Sequence, residues 1–122
     1  VAKKVIVVDD DKNMVDIVEL LLKKEGFEVH GMLWGEECLE SVEQINPDIM
    51  LIDVMMPGMG GWELVRRLKD RGLADKIKIA MLTVVDKPDD ENADLSPYVL
   101  DYIRKPFAIP DLIRRVKRLD SF

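Results

Sequence analysis

The sequence predicts an α/β domain: a doubly wound sheet of five parallel strands with helices on both faces. Three observations carry this. Short aliphatic, β-branched runs alternate with stretches of helical period. Several of the runs are apolar at every position, the pattern of strands covered on both faces. The helical stretches are ten or more residues long, enough for the right-handed crossovers that parallel neighbours need.

Lys4 to Val8 is the first strand, and Met14, Ile17, Val18, Leu21 and Leu22 share one helical face until Gly26 stops the helix. Phe27 to Met32 is a weaker second strand, and Cys38, Val42 and Ile45 mark a second helix ending before Asn46-Pro47. Asp48 to Ile52 is the third strand, with Leu64, Val65 and Leu68 the next helical stripe and Gly72 beyond its end. Ile77 to Leu82 and Val99 to Ile103 are the fourth and fifth strands. The last helix carries Ile109, Leu112, Ile113, Val116 and Leu119, with Pro110 in its first turn. Between Pro88 and Pro97 only Ala93 and Leu95 are apolar, among Asp89, Asp90, Glu91 and Asp94. The segment from Asp86 to Tyr98 is therefore expected to be a short, irregular or mobile helix.

A chain of 122 residues and 14.0 kDa fits a single domain over 1–122, and folding should remove roughly two-thirds of the extended chain's surface. Hydrophobic residues at 48% and charged residues at 34% exclude a disordered chain. Apolar runs such as Val5 to Val8 fall far short of the ~18 residues of a spanning helix, so no membrane role is expected. No secretory leader pattern opens the chain. The single cysteine, Cys38, allows neither an internal disulfide nor a cysteine zinc cage, and a reducing cytoplasm is the expected location. A net charge of -6 repels a phosphate backbone, so direct nucleic-acid contact is not expected.

Ligands of such sheets sit at the carboxyl ends of the strands. There the sequence places Asp9-Asp10-Asp11 after the first strand, Asp53 after the third, Thr83 after the fourth and Lys105-Pro106 after the fifth. Any one strand-end Asp is commonly a turn former or helix cap, and Asp11, beside Lys12-Asn13, is equally a cap. Asp9, Asp10 and Asp53 together are a different matter: carboxylates gathered at one sheet edge repel unless a cation lies among them. Oxygen ligands without His or Cys point to magnesium. Asp9-x-Asp11-x-Asn13 opens like a calcium loop, but Met14 stands where Gly is required and Leu20 where Glu is required. The same Asp-x-Asp resembles the opening of haloacid-dehalogenase-type phosphatases, which usually need a longer chain. No Walker loop or G-x-G-x-x-G is present.

Over essentially its whole length the chain resembles the receiver domain of two-component response regulators. The matching residues are Val7-Val8-Asp9-Asp10, Asp53 followed by Met56-Pro57-Gly58 and Gly61, Leu82-Thr83, and Tyr102 before Lys105-Pro106-Phe107. The resemblance implies that Asp53 is the phosphoacceptor, taking a phosphoryl group from a phosphohistidine on a sensor histidine kinase or phosphotransfer protein. It implies that Asp9, Asp10 and Asp53 hold Mg²⁺ with the backbone carbonyl of Met55. Lys105 and Thr83 then engage the phosphoryl oxygens, Lys105-Pro106 is a cis peptide, and Thr83 and Tyr102 form a switch acting on a downstream protein or output domain.

Such a chain catalyses its own phosphorylation and a slow dephosphorylation without being a conventional turnover enzyme. Phosphoryl transfer suits the constellation, because its catalysis is mostly alignment and neutralisation of oxygen charge. The alternatives are a pseudo-receiver that binds partners without phosphorylation, and a magnesium-dependent phosphatase with Asp9 as nucleophile. Val84 after Thr83 departs from the usual small residue and narrows access to the phosphate. Met55 and Val85 place apolar groups where hydrolysis is tuned, and Gly60 replaces a common Asp. His30 is expected to be exposed or hydrogen-bonded and Cys38 to be a small core residue. Trp34 and Trp62 are expected to pack, with contact surfaces the alternative.

Overall fold

The computed structural model describes residues 2–84 and 90–122. Five strands run β1 Lys4–Val8, β2 Glu28–Met32, β3 Ile49–Asp53, β4 Lys78–Thr83 and β5 Val99–Arg104. Four α-helices lie between or after them: α1 Lys12–Lys24, α2 Gly35–Ile45, α3 Gly61–Asp70 and α4 Ile109–Asp120. All strand pairs are parallel, in the order β2-β1-β3-β4-β5. Chain direction across the sheet reverses between β1 and β3, which makes their carboxyl ends the crevice of the fold.

Strand alternation divides the core into two layers. Ile6, Val8, Met50, Ile52, Ile79 and Met81 pack under α2 and α3, while Val5, Val7, Ile49, Leu51, Ala80 and Leu82 pack under α1 and α4. Covering both faces is why these runs carry no polar alternation. Helix ends follow local chemistry. Asp11 caps α1 by accepting the Met14 amide at 3.2 Å, Asn46 closes α2 with φ 54°, and Pro110 sits in the first turn of α4.

Two expectations need correction. The third and fourth strands extend one residue further than Ile52 and Leu82: Asp53 pairs with Leu82 and Thr83 with Arg104 in the ladder. The backbones of these two residues are therefore held within the sheet ladder. The second strand begins at Glu28, not Phe27, whose amide instead closes the turn onto the Leu22 carbonyl at 3.1 Å.

Between β4 and β5, Asp90–Tyr98 forms a 3-10 helix, irregular as its composition predicts, and the part of that expectation from Asp86 to Asp89 lies outside the described residues. Leu95 is its one fully buried side chain among the described residues, and Arg66 on α3 holds Asp94 through both carboxylate oxygens, at 2.9 and 3.1 Å. Further on, Leu100 is skipped in the pairing, since Ile79 faces Val99 and Ala80 faces Asp101. That bulge puts Val99 and Tyr102, three residues apart, on the same sheet face.

One outer amide on each edge strand is also taken. On β2 the Gly31 amide donates to Glu19 Oε1 at 3.2 Å, and on β5 the Tyr102 amide donates to Asp101 Oδ1 at 2.9 Å. Of the remaining sequence candidates, His30 bonds Glu28 at 2.8 Å, Cys38 is buried, and Trp34 is half exposed instead of packed. Among the described residues no helix is long and apolar enough to cross a membrane.

Candidate functional site

Asp9 follows β1, Asp53 ends β3, Thr83 ends β4 and Lys105 follows β5, so parallel pairing alone delivers all four to one sheet edge. Asp9, Asp53 and Thr83 are the buried polar side chains of the described chain, at 0%, 6% and 3% exposure. Asp10 lies beside them and is exposed. Carboxylate oxygens of Asp9, Asp10 and Asp53 all fall within 4.8 Å of one another.

Lys105 is the cation among these acids. Its Nζ donates to Asp9 Oδ2 at 2.6 Å and stands 3.1 Å from Asp53 Oδ1. The Lys105 backbone is held as well, since its amide donates to the Thr83 carbonyl at 2.8 Å; the peptide bond from Lys105 to Pro106 is cis. Asp9 is oriented from its other side by the Asp11 amide, 2.9 Å from Oδ1.

The electrostatics follow from two buried acids, Asp9 and Asp53, sharing one ammonium. Burial, and then the Asp9 charge, push the Asp53 carboxyl up to about 6, against the pull of Lys105 and of the Met55 amide hydrogen-bonded to it. For Lys105, burial favours the neutral amine. The Asp9 hydrogen bond and the Asp53 and Asp9 charges outweigh it and hold the ammonium above its ordinary value. The cluster is thus under-compensated, and its all-oxygen donor set fits a hard divalent cation.

Below Asp53, the turn into α3 is built around glycine. The Gly61 amide donates to the Val54 carbonyl at 2.9 Å, and a Cβ at Gly61 would stand 2.2 Å from the Asp53 carbonyl oxygen. Only a residue without a side chain lets α3 begin this close to the acid. The next residue, Trp62, lays its ring against Tyr102, with centroids 6.3 Å apart and planes tilted by 44°. The Tyr102 hydroxyl is buried without a hydrogen-bond partner. From the sequence Trp62 is a packing or contact-surface residue, with no tie to the site. The signal available was its place one residue after the glycine that abuts Asp53.

Met55 and Val84 stand exposed at the rim, at 74% and 61%, while Val85 lies outside the described residues. A groove of about 550 Å³ opens beside Lys105, lined by Asn13, Met14 and Ile17 of α1 together with Val84, Phe107 and Ile109.

The fold and this edge define a class, and the comparisons agree. The response regulator receiver domain model matches residues 5–117, and the chain belongs to that family. Among solved structures it is similar to a CheY-like response regulator receiver domain protein from Methanospirillum hungatei JF-1, at 34% identity and TM-score 0.87, over 98% of each chain. The chemotaxis response regulator CheY4 of Vibrio cholerae shares 27% identity with a TM-score of 0.87, over 98% of this chain and 99% of that one. The BeF3-activated DrrB receiver domain shares 29% with a TM-score of 0.80, over 100% of both. The chain is accordingly a receiver of the two-component type, a module that phosphorylation switches.

Proposed function

We propose that Asp53 is the phosphoacceptor and that Asp9, Asp10 and Asp53, with the Met55 carbonyl, hold Mg²⁺. The observation that carries this reading is the buried Asp53 carboxylate, set between the Asp9 and Asp10 carboxylates and the Lys105 ammonium. Magnesium, when bound, supplies charge neutralisation at the phosphoryl oxygens and keeps Asp53 ionised. The rest belongs to the chain. An Asp53 oxygen forms the new P–O bond as the P–N bond of a phosphohistidine breaks, the imidazole leaving with the bond's electron pair. Lys105 turns to a phosphoryl oxygen and the Thr83 hydroxyl donates to another.

The donor is a sensor histidine kinase or a phosphotransfer protein in the cytoplasm. The groove beside Lys105 supports an approach across α1, since it is apolar and continuous with the site. Thr83 and Tyr102 then form the switch toward a downstream protein or output domain. Both lie on the α3 side of the sheet, because Thr83 continues the Ile79–Met81 alternation and the Leu100 bulge brings Tyr102 to the same face. The apolar Met55 and Val84 at the rim support slow loss of the phosphoryl group, read as slow decay of the modified mass.

The test is the mass after incubation with Mg²⁺ and acetyl phosphate. One phosphoryl group is expected, absent in Asp53→Asn, with no turnover of a generic phosphate ester. An Asp53→Asn protein labelled to the same extent would sink the assignment.

A further inference from the structure

Tyr102 is turned inward, its ring packed against the buried cluster under α3. Its hydroxyl is buried and finds no hydrogen-bond partner among the described residues, although the residue as a whole is only half buried. A hydroxyl shut away unpaired is at a disadvantage, so something else must hold the ring. Trp62 is the residue placed to do so. Its ring faces that of Tyr102, both pack on the buried cluster under α3, and its backbone follows Gly61, which is seated against the Asp53 carbonyl.

We propose that Trp62 is a positioning residue for Tyr102, a wall that keeps the tyrosine ring inside and so sets the chain's bias toward the switched state. This rests on the reading of Thr83 and Tyr102 as the switch pair. A ligand that needs the ring inside binds in proportion to the fraction of molecules already holding it there. The Trp62 wall keeps that fraction high.

Without the wall the ring swings out and its hydroxyl is hydrated. If the inward fraction falls to about one-fifth, apparent affinity for a phosphoryl mimic falls about fivefold. Tyr102→Phe removes the reason to leave, because a phenyl ring gains nothing from water, so it should restore the affinity that Trp62→Ala loses.

The experiment titrates beryllofluoride with Mg²⁺ by calorimetry into the wild-type chain, Trp62→Ala, Tyr102→Phe and the double variant. About fivefold weaker binding is expected for Trp62→Ala, and binding within about twofold of wild type for the double variant. Equal losses with and without the Tyr102 hydroxyl would reduce Trp62 to ordinary packing and overturn the proposal. Trp62→Leu, which keeps apolar volume without the reach, serves where Trp62→Ala does not fold. Ring-to-ring NOEs between Trp62 and Tyr102 in the unliganded wild-type protein are an independent readout, and their absence overturns the proposal. A wild-type chain that binds no beryllofluoride overturns the phosphoacceptor reading instead, and the NOEs alone then decide where the ring rests.

Discussion

The ammonium of Lys105 and the carboxylate of Asp9 meet at 2.6 Å, closer than the 3.1 Å between the same ammonium and Asp53. The lysine is thus committed chiefly to an acid proposed to hold metal, and a cation entering the cluster meets a like charge already on its ligand. Lys105→Met should bind Mg²⁺ about tenfold more tightly, a 1.4 kcal/mol effect of removing that repulsion, while losing phosphorylation by acetyl phosphate. Calorimetry reads the first and intact mass the second. Unchanged magnesium affinity would show that the pair does not oppose metal.

Asp53 is held among like charges, so removing its charge should stabilise the metal-free protein. Asp53→Asn is expected to melt a few degrees above wild type in chelator. Magnesium at a hundred times its Kd should add about 2.7 kcal/mol to the wild type and much less to the variant. Thermal denaturation with and without the ion decides, and coincident wild-type curves would falsify the metal cluster.

Gly61→Ala should be costly out of proportion to its size. Its methyl group meets backbone, not a flexible side chain, so α3 or the Asp53 carbonyl must move, at roughly 1–3 kcal/mol. Because the displaced atom belongs to Asp53, phosphorylation should slow together with the loss of stability. Gly26→Ala is strained only by its φ of 97°, with nothing within 4 Å, and should leave phosphorylation intact. Urea denaturation and phosphorylation rates of the two variants separate the effects.

Cys38 is buried in the α2 layer, and burial, then the Glu37 charge, push its thiol up to about 12. The folded state therefore prefers the neutral thiol. That preference is fully present below about 9 and is lost as pH rises through about 12. Native protein should resist alkylation at pH 8 and react fully in denaturant. Fast native labelling would contradict the burial of this thiol.

The 3-10 helix depends on the single buried Leu95 and on the exposed pairing of Arg66 with Asp94. Amides from Glu91 to Leu95 should exchange much faster than those from Ile109 to Val116, and Arg66→Ala should speed the former while leaving the latter unchanged. Equal protection of the two segments would refute the low local stability argued here.

Most of the fold was legible because strands such as Val5 to Val8 and Ile49 to Ile52 are covered on both faces, and that leaves an unmistakable apolar run. The site was legible because parallel strands bring their carboxyl ends together whatever the details of packing. What the sequence hid are relationships without a local pattern. Leu95 is one apolar residue among acids and nothing nearby marks it as an anchor. The Leu100 bulge turns Val99 and Tyr102 to one face at a spacing that alternation assigns to opposite faces. Lys105's closer approach to Asp9 depends on distances of tenths of an ångström, which spacing does not encode.

The carboxylates that take up the Gly31 amide on β2 and the Tyr102 amide on β5 have a consequence for the chain in crowded company. An open parallel sheet ends in two rows of backbone groups that invite a stranger's strand. Here Glu19 and Asp101 occupy an outward donor on each side, each acid held in turn by a base, Lys23 and Arg115. A second chain seeking to extend the sheet at these positions would have to displace an acid at either flank, which disfavours the edge-to-edge pairing that templates aggregation.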